Sequence, residues 1–126
     1  MNGILNEQSL IYRQIEKLIE DGILQGSYAE GEQVPSTTEL ARTFGINPAT
    51  AAKGGNRLVE AGLLYKKRGI GMFVADGALA LLRSRRQADF AQNQLQRMAK
   101  EAGSLGLSKA LLLELVSAAA DREGLV

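Results

Sequence analysis

The sequence predicts a mostly α-helical chain with one small β-hairpin (α+β). An N-terminal winged helix-turn-helix is followed by a C-terminal two-helix segment. Three observations point there. Two capped helical starts, at Ser36 and Asn47, flank a glycine stop at Gly45. A basic stretch, Lys66-Lys67-Arg68-Gly69-Ile70-Gly71, separates the strand-like runs Leu63-Leu64-Tyr65 and Met72-Phe73-Val74. From Gly77 onward the pattern is helical alone. The expected division is residues 1–76 for the winged domain and 77–126 for a dimerisation segment.

The first helix is expected from Ile11, Ile15, Leu18, Ile19 and Gly22, which repeat at helical spacing and form one apolar face, with Ser9 as N-cap. Gly22 and Gly26 are expected to interrupt it and open a turn-rich loop reaching Gln33. Val34-Pro35 reads as extended, because the residue before proline avoids helical dihedrals. Ser36-Thr37-Thr38-Glu39 matches a capping box, in which serine and glutamate satisfy each other's backbone amides. Leu40, Ala41 and Phe44 give this second helix its apolar side, and Ile46 fills the turn after Gly45.

Asn47-Pro48 is a second start signal: a capping side chain, then proline at the first helical position. The third helix is expected to reach Ala61, with Ala51, Leu58 and Val59 buried and Gly62 as left-handed terminator. Two short helices joined by a short turn form a helix-turn-helix, and the following hairpin supplies the wing. Gly54 and Gly55 each cost about 1 kcal/mol in mid-helix relative to alanine, which predicts a loosened third helix.

Beyond Gly77, Leu79, Leu82, Arg86, Phe90, Ala91, Leu95, Met98 and Ala102 keep near-helical spacing up to Gly103. Ser108 caps a last helix, and Leu107 and Leu112 are placed for a hydrophobic staple. Two helices make a poor core of their own. Leu79, Leu82, Phe90, Leu95, Leu111, Leu112 and Leu115 are therefore expected to pair with a second copy, giving a homodimer.

Composition narrows the chemistry. The 126 residues include no cysteine and no histidine, which removes thiolate nucleophiles, the commonest metal ligands and the usual near-neutral general base. The scattered carboxylates show no paired or metal-ligand spacing. No catalysis, metal or cofactor is expected. No apolar run of about 18 residues and no basic-then-apolar start are present, so a cytoplasmic protein without a membrane partner is expected.

The net charge of +1 conceals an uneven distribution. Residues 1–39 carry two basic against seven acidic side chains, and residues 40–76 carry six basic against two acidic. The basic block falls on the two elements that a winged helix presents to double-stranded DNA. In a helix-turn-helix the second helix enters the major groove, its N-terminal residues meeting base edges. Asn47 and Thr50 can hydrogen-bond bases or phosphates, the Ala49 methyl suits a thymine methyl, and Lys53 can reach phosphate or guanine. The capped start at Ser36, with Thr37 and Thr38, aims backbone amides at phosphate. Lys67, Arg68 and Gly69 form the wing tip, with Arg68 suited to an adjacent minor groove.

The same residues have plainer readings. Ser36 and Asn47 serve as caps, Lys66 and Lys67 can guard an exposed strand edge, and Arg83, Arg85 and Arg86 can be a solvated helix face. A winged helix used for protein–protein assembly, without specific DNA binding, is the competing function. The positive wing argues against it, since the cores of protein interfaces are depleted of charge.

Val34-Pro35-Ser36-x-x-Glu39-Leu40-Ala41, Gly45-Ile46-Asn47-Pro48-x-Thr50, Leu58-x-x-x-Gly62-Leu63-Leu64 and Arg68-Gly69-x-Gly71-Met72-Phe73-Val74 together resemble the GntR family of bacterial transcription regulators, over about residues 9–75. The short two-helix tail is similar to the YtrA-type subfamily. The resemblance implies a homodimeric winged-helix regulator, usually a repressor, often of transporter genes, released from DNA by a small-molecule effector. A symmetric dimer would read a palindromic operator. The chain departs from the family pattern at Thr38, where many members have a DNA-contacting arginine, and at Gly54-Gly55, where alanine or bulky residues are common.

Overall fold

The apolar face of the first helix is present, and it forms the floor on which the next three elements pack. In the computed structural model, which describes residues 3–126 with side chains from residue 11 onward, α1 spans Gly3–Gln25. It buries Ile15, Ile19 and Ile23 against Leu40, Leu58 and Val74. Each such side chain contributes about 1.5–3 kcal/mol by leaving water.

Two expectations about α1 need correction. The helix starts at Gly3, so Ser9 stands inside it and not at its cap; the Ser9 side chain lies outside the described residues. Gly22 does not interrupt the helix, which ends at Gln25 before Gly26 turns left-handed at φ +85°. Gly22 is glycine for another reason: a Cβ there would stand 2.4 Å from the Tyr28 ring, which folds back over the helix.

Helix α2 (Thr37–Phe44) has the expected capping box, Ser36 Oγ accepting from the Glu39 N–H while Glu39 Oε1 accepts from the Ser36 N–H. Gly45 closes it at φ +62°. Helix α3 (Pro48–Glu60) is capped by Asn47, whose Oδ1 accepts from the Ala49 N–H at 2.8 Å. Ala51 and Leu58 are buried as expected, and Gly62 (φ +82°) follows the helix end. Gly54 and Gly55 are buried as well. They are contact surfaces, because a Cβ on Gly54 would lie 3.0 Å from the Tyr12 carbonyl oxygen of α1.

Strands β1 (Leu64–Lys67) and β2 (Gly71–Val74) pair antiparallel, with Leu64 opposite Val74 and Lys67 opposite Gly71. The extended segment before α2 adds to the far edge of β2. The Val34 N–H donates to the Met72 carbonyl, and the Val74 N–H to the Glu32 carbonyl. The wing is thereby three-stranded at its base, which stabilises a hairpin that two strands alone leave marginal.

Two compact units divide between Arg85 and Arg86. The first includes most of α4 (Ala78–Asp89), whose Ala78 and Leu82 belong to the core just described. Leu82, expected on a dimer face, is 2% exposed within its own chain and is not available to a partner. Leu79 packs at the edge of the same core. Glu30, from the loop after α1, caps α4: Oε1 accepts from the Gly77 N–H at 2.7 Å and Oε2 from the Leu79 N–H at 3.3 Å.

In the second unit a π-helical turn, Phe90–Gln94, leads into α5 (Leu95–Ser104). The turn supplies one extra residue, so Phe90 and Leu95 bond as i and i+5 through the Leu95 N–H and Phe90 carbonyl. Uninterrupted 3.6-residue spacing would carry Leu95, Met98 and Ala102 off the face of Phe90; the extra residue returns them to it. The helix continues past Gly103 and ends before Gly106, at φ +76°. Helix α6 (Lys109–Arg122) has Ser108 as its N-cap, Oγ accepting from the Leu111 N–H at 3.1 Å. Phe90, Leu95, Leu111 and Leu115 are between 40% and 49% exposed, while Leu107 and Leu112 are half-buried.

Candidate nucleic-acid interface

Local chemistry places each element of the interface. A capping box fixes where α2 begins, the Asn47 cap where α3 begins, and a four-residue turn ending at Ile70 (its N–H donating to the Lys67 carbonyl at 2.9 Å) fixes the wing tip. Gly69 sits in that turn at φ +76°, a conformation costly for residues with a Cβ.

These elements converge. Thr37 and Thr38 from the first turn of α2 and Lys66 to Met72 from the wing line one open concavity of about 470 Å3. Of the residues singled out in the sequence, this brings together Thr37, Thr38, Lys67, Arg68 and Gly69. Ser36 stands at the same helix start but spends its hydroxyl on the Glu39 amide. Its role in the structure is therefore at least that of a cap.

On α3, Asn47 and Ala49 are exposed and Thr50 is half-exposed. Lys53 is exposed too, yet its ammonium lies 4.3 Å from the centre of the Tyr12 ring, a cation–π contact with α1. Arg57 shares that ring at 5.1 Å and pairs with Glu16. The hydrogen bond that Arg57 donates to the Glu16 carboxylate, more than that carboxylate's charge, raises the Arg57 guanidinium above its ordinary value. Hydrogen bonding from Arg13 lowers the Tyr12 phenol; burial opposes this, and the Arg57 and Lys53 charges reinforce it. Thus Arg57 ties α3 to α1, whereas Lys53 has only a ring to leave.

The wing is built differently. Tyr65 and Phe73 stack across the hairpin with ring centres 5.7 Å apart, and the Lys67 ammonium lies 4.4 Å over Phe73. Lys66 and Arg68 are exposed and make no ion pair among the described residues. Two cations left in water, one on β1 and one in the turn that follows it, can neutralise phosphates, with release of the counterions that DNA holds.

Sequence reasoning missed three residues that shape this surface. Gln33 donates to the wing-tip Ile70 carbonyl at 3.0 Å. Tyr12 holds Lys53 and Arg57, as described. Arg85, read as solvated, donates to the Ala61 carbonyl at the end of α3 at 2.8 Å, where a helix carries partial negative charge. All three act across long sequence separations, which periodicity does not report.

The chain is similar to known regulatory proteins in both sequence and fold. The family model "Bacterial regulatory proteins, gntR family" matches residues 11–74. The transcriptional repressor YtrA of Bacillus subtilis is 32% identical over 72 residues, covering 57% of this chain and 55% of YtrA. The repressor NagR of the same organism is 37% identical over 73 residues, 56% of this chain and 30% of NagR. The matched stretch is thus about half of YtrA or less than a third of NagR. A GntR-family protein from Bacteroides thetaiotaomicron superposes with a TM-score of 0.70 at 33% identity, over 90% of this chain and 98% of that one. A GntR-family transcriptional regulator from Listeria monocytogenes gives a TM-score of 0.69 at 28% identity, over 85% and 92% of the two chains.

Proposed function

Because the chain belongs to the GntR family of bacterial regulatory proteins, we propose that it is a homodimeric, sequence-specific double-stranded-DNA-binding transcriptional regulator, a repressor of its own or a transporter operon, released by a small-molecule effector. The observation that carries the DNA reading is the concavity shared by the start of α2 and the wing, lined in part by Lys66 and Arg68, which make no ion pair among the described residues. Asn47, Ala49, Thr50 and Lys53 on α3 would face the major groove, Ser36, Thr37 and Thr38 the backbone, and Lys67, Arg68 and Gly69 the minor groove. Lys53 would exchange the Tyr12 ring for a phosphate. The repressor role is supported by the relatives: YtrA and NagR are both described as transcriptional repressors.

A binding titration on the chain's own upstream DNA, repeated across salt concentrations, tests this. Binding should weaken steeply with salt; Lys53→Ala should lower the slope by about 1, the loss of one phosphate contact, and Arg68→Ala should weaken binding. No binding at low salt by the folded protein would overturn the reading and leave the assembly-module alternative.

A further inference from the structure

The wing tip is held by a side chain from outside the hairpin. Gln33 lies on the segment that runs along β2 towards α2, and its Nε2 donates to the Ile70 carbonyl at 3.0 Å, across 37 positions of sequence. The amide occupies the space over Gly71. The φ of +150° at Gly71 favours glycine, and a Cβ there, 2.5 Å from Gln33 Nε2, would displace the amide. The next two residues are Val34, 2% exposed, and Pro35, whose ring fixes its φ. Ser36, the cap of α2, follows at once. One stiff segment therefore bonds the wing tip at one end and begins the α2 helix at the other.

The wing tip has little else to hold it. Ile70 is 63% exposed, and nothing lies within 4 Å of where a Cβ on Gly69 would be. Resting on the DNA reading above, we propose that Gln33 is a positioning residue for DNA recognition: its amide fixes the Lys67–Ile70 turn relative to the first turn of α2, so that Arg68 and the α2 amides meet the duplex at a set spacing. Without that bond the turn samples more orientations, and ordering them opposes binding. Gln33 acts through the wing, so its effect requires the wing contact it positions.

The test is a double-mutant cycle with the full chain and a labelled duplex that the wild-type protein selects from a randomised pool. Gln33→Ala should weaken binding on the order of two- to tenfold, the size of one net hydrogen bond. Gln33→Met, of similar length but without a donor, should do the same, with melting temperature unchanged for both. In the Arg68→Ala background Gln33→Ala should have no further effect, whereas with Lys53→Ala the two losses should multiply. Unchanged affinity of Gln33→Ala, or a loss that persists in full without Arg68, would overturn the proposal alone. A wild-type chain that binds no duplex at low salt would overturn it together with the DNA reading.

Discussion

Gly54 and Gly55 are adjacent and both buried, yet an added methyl would meet different neighbours. At Gly54 it meets the Tyr12 carbonyl oxygen at 3.0 Å and Ile15 Cβ at 3.2 Å, atoms fixed by the α1 backbone. At Gly55 it meets the flexible tip of Met72, also at 3.0 Å. Gly54→Ala should therefore destabilise, overpacking of about 1–3 kcal/mol outweighing a helix-propensity gain of about 1 kcal/mol. Gly55→Ala should be neutral or stabilising by up to about 1 kcal/mol, since the thioether can swing aside. Urea unfolding of both variants checks the contrast; equal effects would remove the packing explanation. The close approach of α1 that Gly54 permits opposes the loosening expected from two mid-helix glycines.

Among the elements, α4 depends on partners distant in sequence at both ends. Its N-terminus is capped by Glu30 and its Arg85 is bonded to the end of α3. A carboxylate at a helix N-terminus satisfies free amides and complements the helix dipole. Glu30→Ala should cost about 1 kcal/mol and speed hydrogen exchange at the Leu79 amide, with the α2 amides unaffected. Uniform acceleration throughout the first unit would instead mean that Glu30 supports the whole core. The Ser36 capping box, the Asn47 and Ser108 caps and the Gly45 stop were legible because each is written within four residues. The Glu30 cap was not, since its donors lie 47 and 49 positions away.

For the whole molecule, the second unit leaves Phe90, Leu95, Leu111 and Leu115 substantially exposed and buries only Ala102 among its described side chains. Large apolar side chains left in water mark an interaction surface, and a second copy is the proposed occupant. Sedimentation should show a dimer at micromolar concentration. Leu111→Glu with Leu115→Glu should shift it to monomer and abolish tight operator binding, while low-salt binding to non-specific duplex persists. A monomeric wild-type chain would refute the pairing. The corresponding role expected for Leu82 does not survive, because that side chain completes the core of the first unit.

Local rules sufficed for the element order of the winged part, the Ser36, Asn47 and Ser108 caps, the Gly45 and Gly62 turns and the basic wing, because hydrophobic period, capping chemistry and charge act over a few neighbouring residues. Tertiary structure decided why Gly22, Gly54 and Gly71 are glycine, where Lys53 and Arg57 rest, which leucines are core and what steadies the wing. Each of these turns on a contact between segments far apart in sequence. Such contacts are set by how helix α1, the hairpin and α4 close upon one another, and no local pattern records that geometry.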